Sequence, residues 1–351
     1  MMKTVQWILF YWMAISFILP GCTDLSDEMA LATEYTSGDV TVHVVDVGQA
    51  LCTITETPDA HYMIYDAGYW KGEGCLNAAL NLVQTDTIDL LVLSHTDADH
   101  LGDAAAILKA FTVKQIIRTG IVRETSTWRA VDAAVAEAVD AGAIETNLQW
   151  DNLAPGTAFN LGAATVTVVA GWGNPNWNGL SDAERFNAAS IVVKLSYQGH
   201  SVLFTGDTVG RHVDDANNIC IAAEKAMVDN RAVMPLNAEV LIVPHHGADN
   251  AGSPAFIQAV SPAFAVVSAG NDYAHPRAVA MQRYLDYGLP AENIFRTDRG
   301  DDEGDLEWDW DRIVGCVDPD GDDSIEIVLP ATGNVSVSYG TGGSLCTTAE
   351  N

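Results

Sequence analysis

The chain has 351 residues, with 47 Asp and Glu against 17 Lys and Arg, a formal net charge of -30, and 48% hydrophobic residues. That length and apolar content are enough to bury a sizeable core, whereas the acidity argues against a basic surface that holds nucleic acid through its phosphates. Charge of this sign favours solubility and does not reveal a reaction.

The chain opens on a targeting segment. Lys3 gives a thin positive start, Val5 to Leu19 is a nearly continuous apolar run, and Leu19-Pro20-Gly21-Cys22 follows. The arrangement resembles a bacterial lipoprotein signal, which implies removal of residues 1–21 and lipidation of Cys22. Pro20 departs from the small or hydroxylated residue usual there, so an ordinary secretory signal and an uncleaved anchor stay as alternatives. The run is shorter than the roughly 20 residues a bilayer core requires. Residues 22–38, rich in Asp, Glu, Ser and Thr, then read as a flexible tether, and 39–345 as one working domain attached to the membrane by the N-terminal lipid alone. Five of the six cysteines lie beyond Cys22. Cys52 reads as a buried thiol in an alternating strand, and Cys316 with Cys346 as a candidate disulfide in an oxidising compartment.

Val40–Val47, Leu51–Thr57 and Tyr62–Tyr65 read as successive strands, separated by turns at Gly48-Gln49 and Pro58-Asp59. A helix near Cys75–Val83 leads to the apolar run Ile88–Leu93, a buried strand. That strand delivers Ser94-His95-Thr96-Asp97-Ala98-Asp99-His100-Leu101-Gly102-Asp103. His95, Asp97, Asp99 and His100 crowd the strand's C-terminal end, where open α/β sheets place their chemistry. Carboxylates and imidazoles this close repel or titrate one another unless cations lie between them, so the loop reads as a metal site.

Farther on, a strand at Val113–Ile117 and a helix at Trp128–Ala141 continue the alternation. Strands follow at Thr165–Val169, Ile191–Ser196, Ser201–Phe204, Val240–Val243 and Ala265–Val267, with helices near Pro254–Val260 and Arg277–Tyr287. Two closing strands, Ser324–Leu329 and Asn334–Tyr339, come after an acidic insertion over 299–323, read either as a solvated loop or as a calcium site. Strand clusters followed by helices in each half predict two sheets packed face to face between outer helices.

Further ligand-capable residues end strands at Asp207 in Phe204-Thr205-Gly206-Asp207, at His245-His246-Gly247, at Asn187 before a strand, and at His275-Pro276. With Asp46-Val47-Gly48-Gln49 and Asp66-Ala67-Gly68, this order resembles the metallo-β-lactamase fold superfamily, and more narrowly the hydrolase domain of ComEC-type competence proteins and their free-standing relatives. The resemblance runs from about Val40 to Gly300. It implies an α/β four-layer αβ/βα sandwich and two divalent cations, manganese or zinc. The superfamily's histidine-rich loop falls on His95 to His100, with Asp97 where a second histidine usually stands. Its bridging carboxylate falls on Asp207 and its last histidine on His246, leaving His245 in support. Its middle histidine falls on Asn187, a weak ligand. His95, Asp97 and Asp207 are then expected to hold one metal, and Asp99, His100, Asp207 and His246 the other. Asp99 orients the nucleophile, and His275 either protonates a leaving oxygen, grips a phosphate, or caps the core.

Two cations about 3.5–4 Å apart lower the pKa of a shared water and polarise a phosphoryl oxygen. Against them, three carboxylates and a hydroxide leave the centre near neutral. The expected protein is therefore an exported hydrolase of phosphodiesters, with extracellular nucleic acid a candidate substrate that the acidic surface disfavours. Asp97 hardens the site toward manganese. Lactone, thioester or amide hydrolysis fits the same centre, and a non-catalytic metal-binding surface lipoprotein is the reading from another class. His43, His61, His200 and His212 lack partners at ligand spacing and read as structural. Gly206 and Gly247 read as backbone clearance.

Overall fold

Apolar residues with a period of two set the strands, and in a computed structural model of the protein they pair into two sheets. The structure describes residues 38–149, 153–213, 215–216, 218–313 and 321–340. The targeting segment, Cys22, most of the tether, Cys316 and Cys346 lie outside the described residues. In chain order the strands are β1 (Val40–Val44), β2 (Cys52–Glu56), β3 (Tyr62–Ala67), β4 (Thr87–Leu93), β5 (Thr112–Arg118), β6 (Ile144–Asn147), β7 (Ala158–Leu161), β8 (Ala164–Ala170), β9 (Val192–Tyr197), β10 (His200–Phe204), β11 (Val240–Ile242), β12 (Phe264–Val267), β13 (Ile294–Arg296), β14 (Ile325–Leu329) and β15 (Ser336–Tyr339). One sheet runs β15-β14-β1-β2-β3-β4-β5-β6 and the other β13-β12-β11-β10-β9-β8-β7.

Strands β3 to β6 are mutually parallel, as are β10 to β13. Parallel neighbours need crossover connections, which place helices on the sheet faces. These are α1 (Gly74–Leu82), α2 (Ala98–Leu101), α3 (Ala104–Ala110), α4 (Ser126–Asp140), α6 (Ala222–Asp229), α7 (Pro254–Val260) and α8 (Ala278–Tyr287), while α5 (Asp182–Ala188) joins the antiparallel neighbours β8 and β9. Side-chain alternation then sends each strand's two faces into different cores. Leu90 and Val92 of β4 meet Val202 and Phe204 of β10 in a central cluster between the sheets, while Leu91 and Leu93 face outward toward Ile107 of α3 and Val135 of α4. On the other side Leu203, Leu241 and Val267 pack with Phe256 of α7 and Met281 of α8. The layers are αβ/βα, as expected.

Two readings change. Cys52 is bonded to Cys75 of α1, with their Cα atoms 5.8 Å apart, an ordinary disulfide span. It therefore staples β2 to the helix and is not a thiol. The acidic insertion is not simply solvated, since Glu307, Trp308 and Asp301 are buried. Arg296, fully buried at the end of β13, donates to Asp298, Glu307 and the Trp308 carbonyl, and Arg312 pairs with Glu307 at 2.8 Å. Buried carboxylates require such partners. Asp298 and Glu307 are thus matched by arginines, while Asp298 Oδ2 and Asp301 Oδ2 are buried with no hydrogen-bond partner and, with Glu307, place ligand atoms within 4.8 Å of one another, as a cation site requires.

Candidate metal centre

Parallel strands bring their C-terminal ends to one edge of the sandwich. There β3 presents Asp66, β4 the His95–His100 loop, β10 Asp207, β11 the His245-His246 pair and β12 Ser268. Adjacent residues on a strand point apart, yet His245 and His246 both turn toward Asp207. Their backbones, at φ 53° and 54°, both lie in the left-handed region. Non-glycine residues there cost about 1–3 kcal/mol each, a strain that clusters at working sites. Gly247 follows at φ 75°, and a Cβ on it would stand 2.6 Å from Pro276. Gly206, at φ 53°, runs so close to Ser94 and Ser190 that a Cβ would meet both at 2.8 Å. Backbone clearance is what both glycines supply.

The four imidazoles are oriented alike. His100 Nδ1 donates to Asp66 Oδ2 at 2.7 Å, and His246 Nδ1 donates to the Ser268 carbonyl at 2.7 Å. His245 Nδ1 donates to Asn250 Oδ1 at 2.7 Å. Ser94 Oγ donates to Asp66 Oδ2, so it accepts from His95 Nδ1 at 3.0 Å. With every Nδ1 serving as donor, each ring turns its Nε2 toward Asp207. His100 and His246 lie 3.1 Å and 3.7 Å from Asp207 Oδ1, and His245 and His95 lie 3.7 Å and 3.8 Å from Oδ2. Asp99 Oδ2 joins the first pair, 3.7 Å from His246 Nε2.

Four imidazole Nε2 atoms do not converge on one carboxylate without something to share. His100 Nε2 and His246 Nε2 are only 3.2 Å apart, and His95 Nε2 and Asp207 Oδ1 are buried with no hydrogen-bond partner. Burial alone would push the His100 ring down, but Asp207 and Asp66 outweigh it and hold its pKa well above the usual histidine range. The field that retains a proton there also retains a cation. Asp99, His100, Asp207 and His246 place ligand atoms within 4.8 Å of one another, and the donors fit a divalent ion.

A family model for the metallo-beta-lactamase superfamily matches residues 45–270. The chain belongs to this superfamily. It is 26% identical over 300 residues to ComE operon protein 3 of Bacillus subtilis (strain 168), covering 80% of this chain and 34% of that protein. It is 27% identical over 267 residues to competence protein ComA of Neisseria gonorrhoeae, covering 74% and 31%. The chain thus spans about a third of the length of these curated relatives. Among solved structures it is similar to the metallo-beta-lactamase fold protein YhfI from Bacillus subtilis, with 12% identity, a TM-score of 0.44, and coverage of 73% of this chain and 95% of that one.

Within this superfamily framework, Asp97 takes an unexpected place. Its carboxylate is bound by the Arg123 guanidinium, and burial raises its pKa to about 6. Where the sequence put Asp97 beside His95, the structure puts His245. Asn187, on α5, donates from Nδ2 to His245 Nε2 at 3.0 Å and leaves its buried Oδ1 without a partner. His275 lines the cavity above the centre. Gln49 Oε1 accepts from the Gly270 amide, so its Nε2 donates to His275 Nδ1 at 3.1 Å, which leaves the proton on Nε2. Burial, with His245, His246 and Arg277 nearby, pushes His275 down to about 2, so the ring is a neutral hydrogen-bond donor and not a general acid. His61 and His200 pair with Asp89 and Glu239 away from the centre, as structural histidines do.

Asp66, near the end of β3, reaches beyond its own turn. It accepts from the Ser94 amide, Ser94 Oγ and His100 Nδ1, so it fixes two imidazoles at once. Asp66→Ala is expected to weaken metal binding by about 10–100-fold, read by chelator competition. Unchanged affinity would show that the rings are held without it.

A second support escaped the sequence. Arg283 of α8 donates to the carbonyls of Asp249, Ala251 and Gly252 and to Asp249 Oδ1, pinning the loop that carries Asn250. Buried Glu224 accepts from the Gly252 and Ser253 amides, and burial pushes its carboxyl up to about 7. Above its unfolded pKa and below about 7, the native state holds a proton that the unfolded chain releases, so stability falls as pH rises through that window. Glu224→Gln removes the proton. Relative to wild type, the variant is expected to gain up to about 3 kcal/mol between about pH 4 and about pH 8, read from urea midpoints. A constant difference would place the titration elsewhere.

Proposed function

We propose that the protein is an exported hydrolase of phosphodiesters working through two divalent cations, zinc or manganese. His95, His245 and Asp207 Oδ2 would hold one, and Asp99, His100, His246 and Asp207 Oδ1 the other. Bound there, the pair supplies a more acidic water and Lewis acidity toward a phosphoryl oxygen. Asp99, one quarter exposed and lining the cavity, orients the attacking water and takes its proton. His275 donates from Nε2 to a phosphate oxygen and holds the ester in place.

The observation that carries the phosphodiester reading is the pairing of Asp97 with Arg123. It removes one carboxylate from the expected set, so two dications face only Asp99 and Asp207. The centre then keeps positive charge for an anionic ester. The competence-protein relatives make nucleic acid a candidate, while the net charge of -30 disfavours a long polyanion. The test is turnover by metal-loaded protein of bis(p-nitrophenyl) phosphate beside a lactone, a thioester and an amide. Hydrolysis of the neutral substrates alone would overturn the reading.

Among the described residues no helix is long and apolar enough to cross a membrane. The Val5–Leu19 run and Gly21-Cys22 support attachment through a lipid on Cys22. Mass spectrometry of the mature N-terminus is expected to find fatty-acylated Cys22. A mature chain beginning elsewhere and partitioning into the aqueous phase would mean ordinary secretion.

A further inference from the structure

The cavity over the metal centre, about 570 Å³, is the size of a small-molecule site. Its floor is Asp99, His245, His246 and His275, and its outer wall has a different chemistry. Val213, Tyr273, Val279 and Leu306 line it and are 61%, 70%, 56% and 64% exposed. Twelve large apolar side chains are exposed among the described residues, so four at one mouth is a cluster and not the scatter a soluble surface carries. Leu306 is held there by the acidic insertion, whose neighbours Glu307 and Trp308 are buried and tied to Arg296.

Charge at the same mouth is sparse. Arg277 is the single Lys or Arg among the described lining residues. Asp249 is paired with Arg283, and Asp305 is exposed on the rim. Apolar side chains and Asp305 at the mouth are poor partners for the flanking phosphates of a polyanion and suit a ligand with a single charge.

Resting on the phosphodiester reading, we propose that the substrate is a phosphodiester with one bulky apolar substituent. Its single charge lies at the metal centre beside Arg277, and its apolar arm packs on Val213, Tyr273, Val279 and Leu306. The acidic insertion is thereby a specificity element that carries Leu306 to the site.

The test compares two p-nitrophenyl phosphodiesters on metal-loaded protein, one with a methyl and one with an octyl second ester. The octyl ester is expected to show kcat/KM at least about ten-fold higher, and the ratio to fall toward one in V279D/L306D, whose positions are exposed enough to spare the fold. Equal values in wild type, an unchanged ratio in the variant, or faster cleavage of a thymidine dinucleotide than of the octyl ester would overturn the proposal. If neither diester is cleaved, the phosphodiester reading fails by itself, and calorimetry with octylphosphonate and methylphosphonate decides the apolar arm. A preference for octylphosphonate that V279D/L306D abolishes supports it, and equal affinities overturn it.

Discussion

Asp207→Ala is expected to abolish hydrolysis and to strip the protein of most of its bound metal. Among the described residues Asp207 is the one carboxylate with an imidazole pair on each oxygen, His100 and His246 at Oδ1 and His95 and His245 at Oδ2. Burial would raise its carboxyl, but His100, His245 and His246 outweigh burial and hold it well below the ordinary carboxylate range. It is therefore an anion at any working pH. Removing it takes negative charge from both half-sites at once and leaves the four imidazoles without the carboxylate they share, so turnover should drop by more than about a thousand-fold. The fold should persist, because the turn that carries Asp207 is held by its neighbours. Thr205 Oγ1 donates to the Ile242 carbonyl, and the Asp207 amide donates to Ser190 Oγ. Metal analysis and turnover of the purified variant check both parts. Wild-type activity or a full complement of metal would remove the bridging role.

The residues that the sequence made legible are those whose meaning is local. His95 to His100 follow a continuous apolar run, so a strand end had to carry them, and Asp207 and His246 likewise end β10 and β11. The two sheets were legible for the same reason, since alternation such as Leu90, Val92 against Leu91, Leu93 divides a strand between two cores. What escaped depends on contacts distant in the chain or on backbone conformation. Asp97 and Arg123 are 26 residues apart, and nothing in the spacing says that an arginine on the far side of β5 will return to cover a carboxylate. Cys75 sits in a helix that gave no sign of reaching Cys52. His246 is the ligand the sequence favours because it precedes the glycine, which leaves His245 in support; neighbouring side chains diverge on any regular strand or helix, and only left-handed backbone at two successive non-glycine residues turns both rings to one target.

Metal stoichiometry distinguishes His245 from Asp97. If His245 completes the half-site on Asp207 Oδ2, then His245→Ala should lower bound metal from about two ions per chain to about one and reduce turnover by at least about a hundred-fold, because the water between the cations loses one of them. The remaining ion should stay with Asp99, His100, Asp207 and His246, whose ligand atoms already converge. Asp97→Asn should keep both ions. Its carboxylate is engaged with Arg123, so the loss is one partly buried ion pair, and turnover should change by less than about ten-fold. The opposite pattern, with a metal lost from Asp97→Asn and both retained in His245→Ala, would restore the oxygen-rich set read from the sequence and its preference for manganese. The choice bears on charge as well as geometry. A ligating Asp97 would bring the centre back toward neutrality, and the attraction for an anionic ester would then rest on Arg277 and His275 alone.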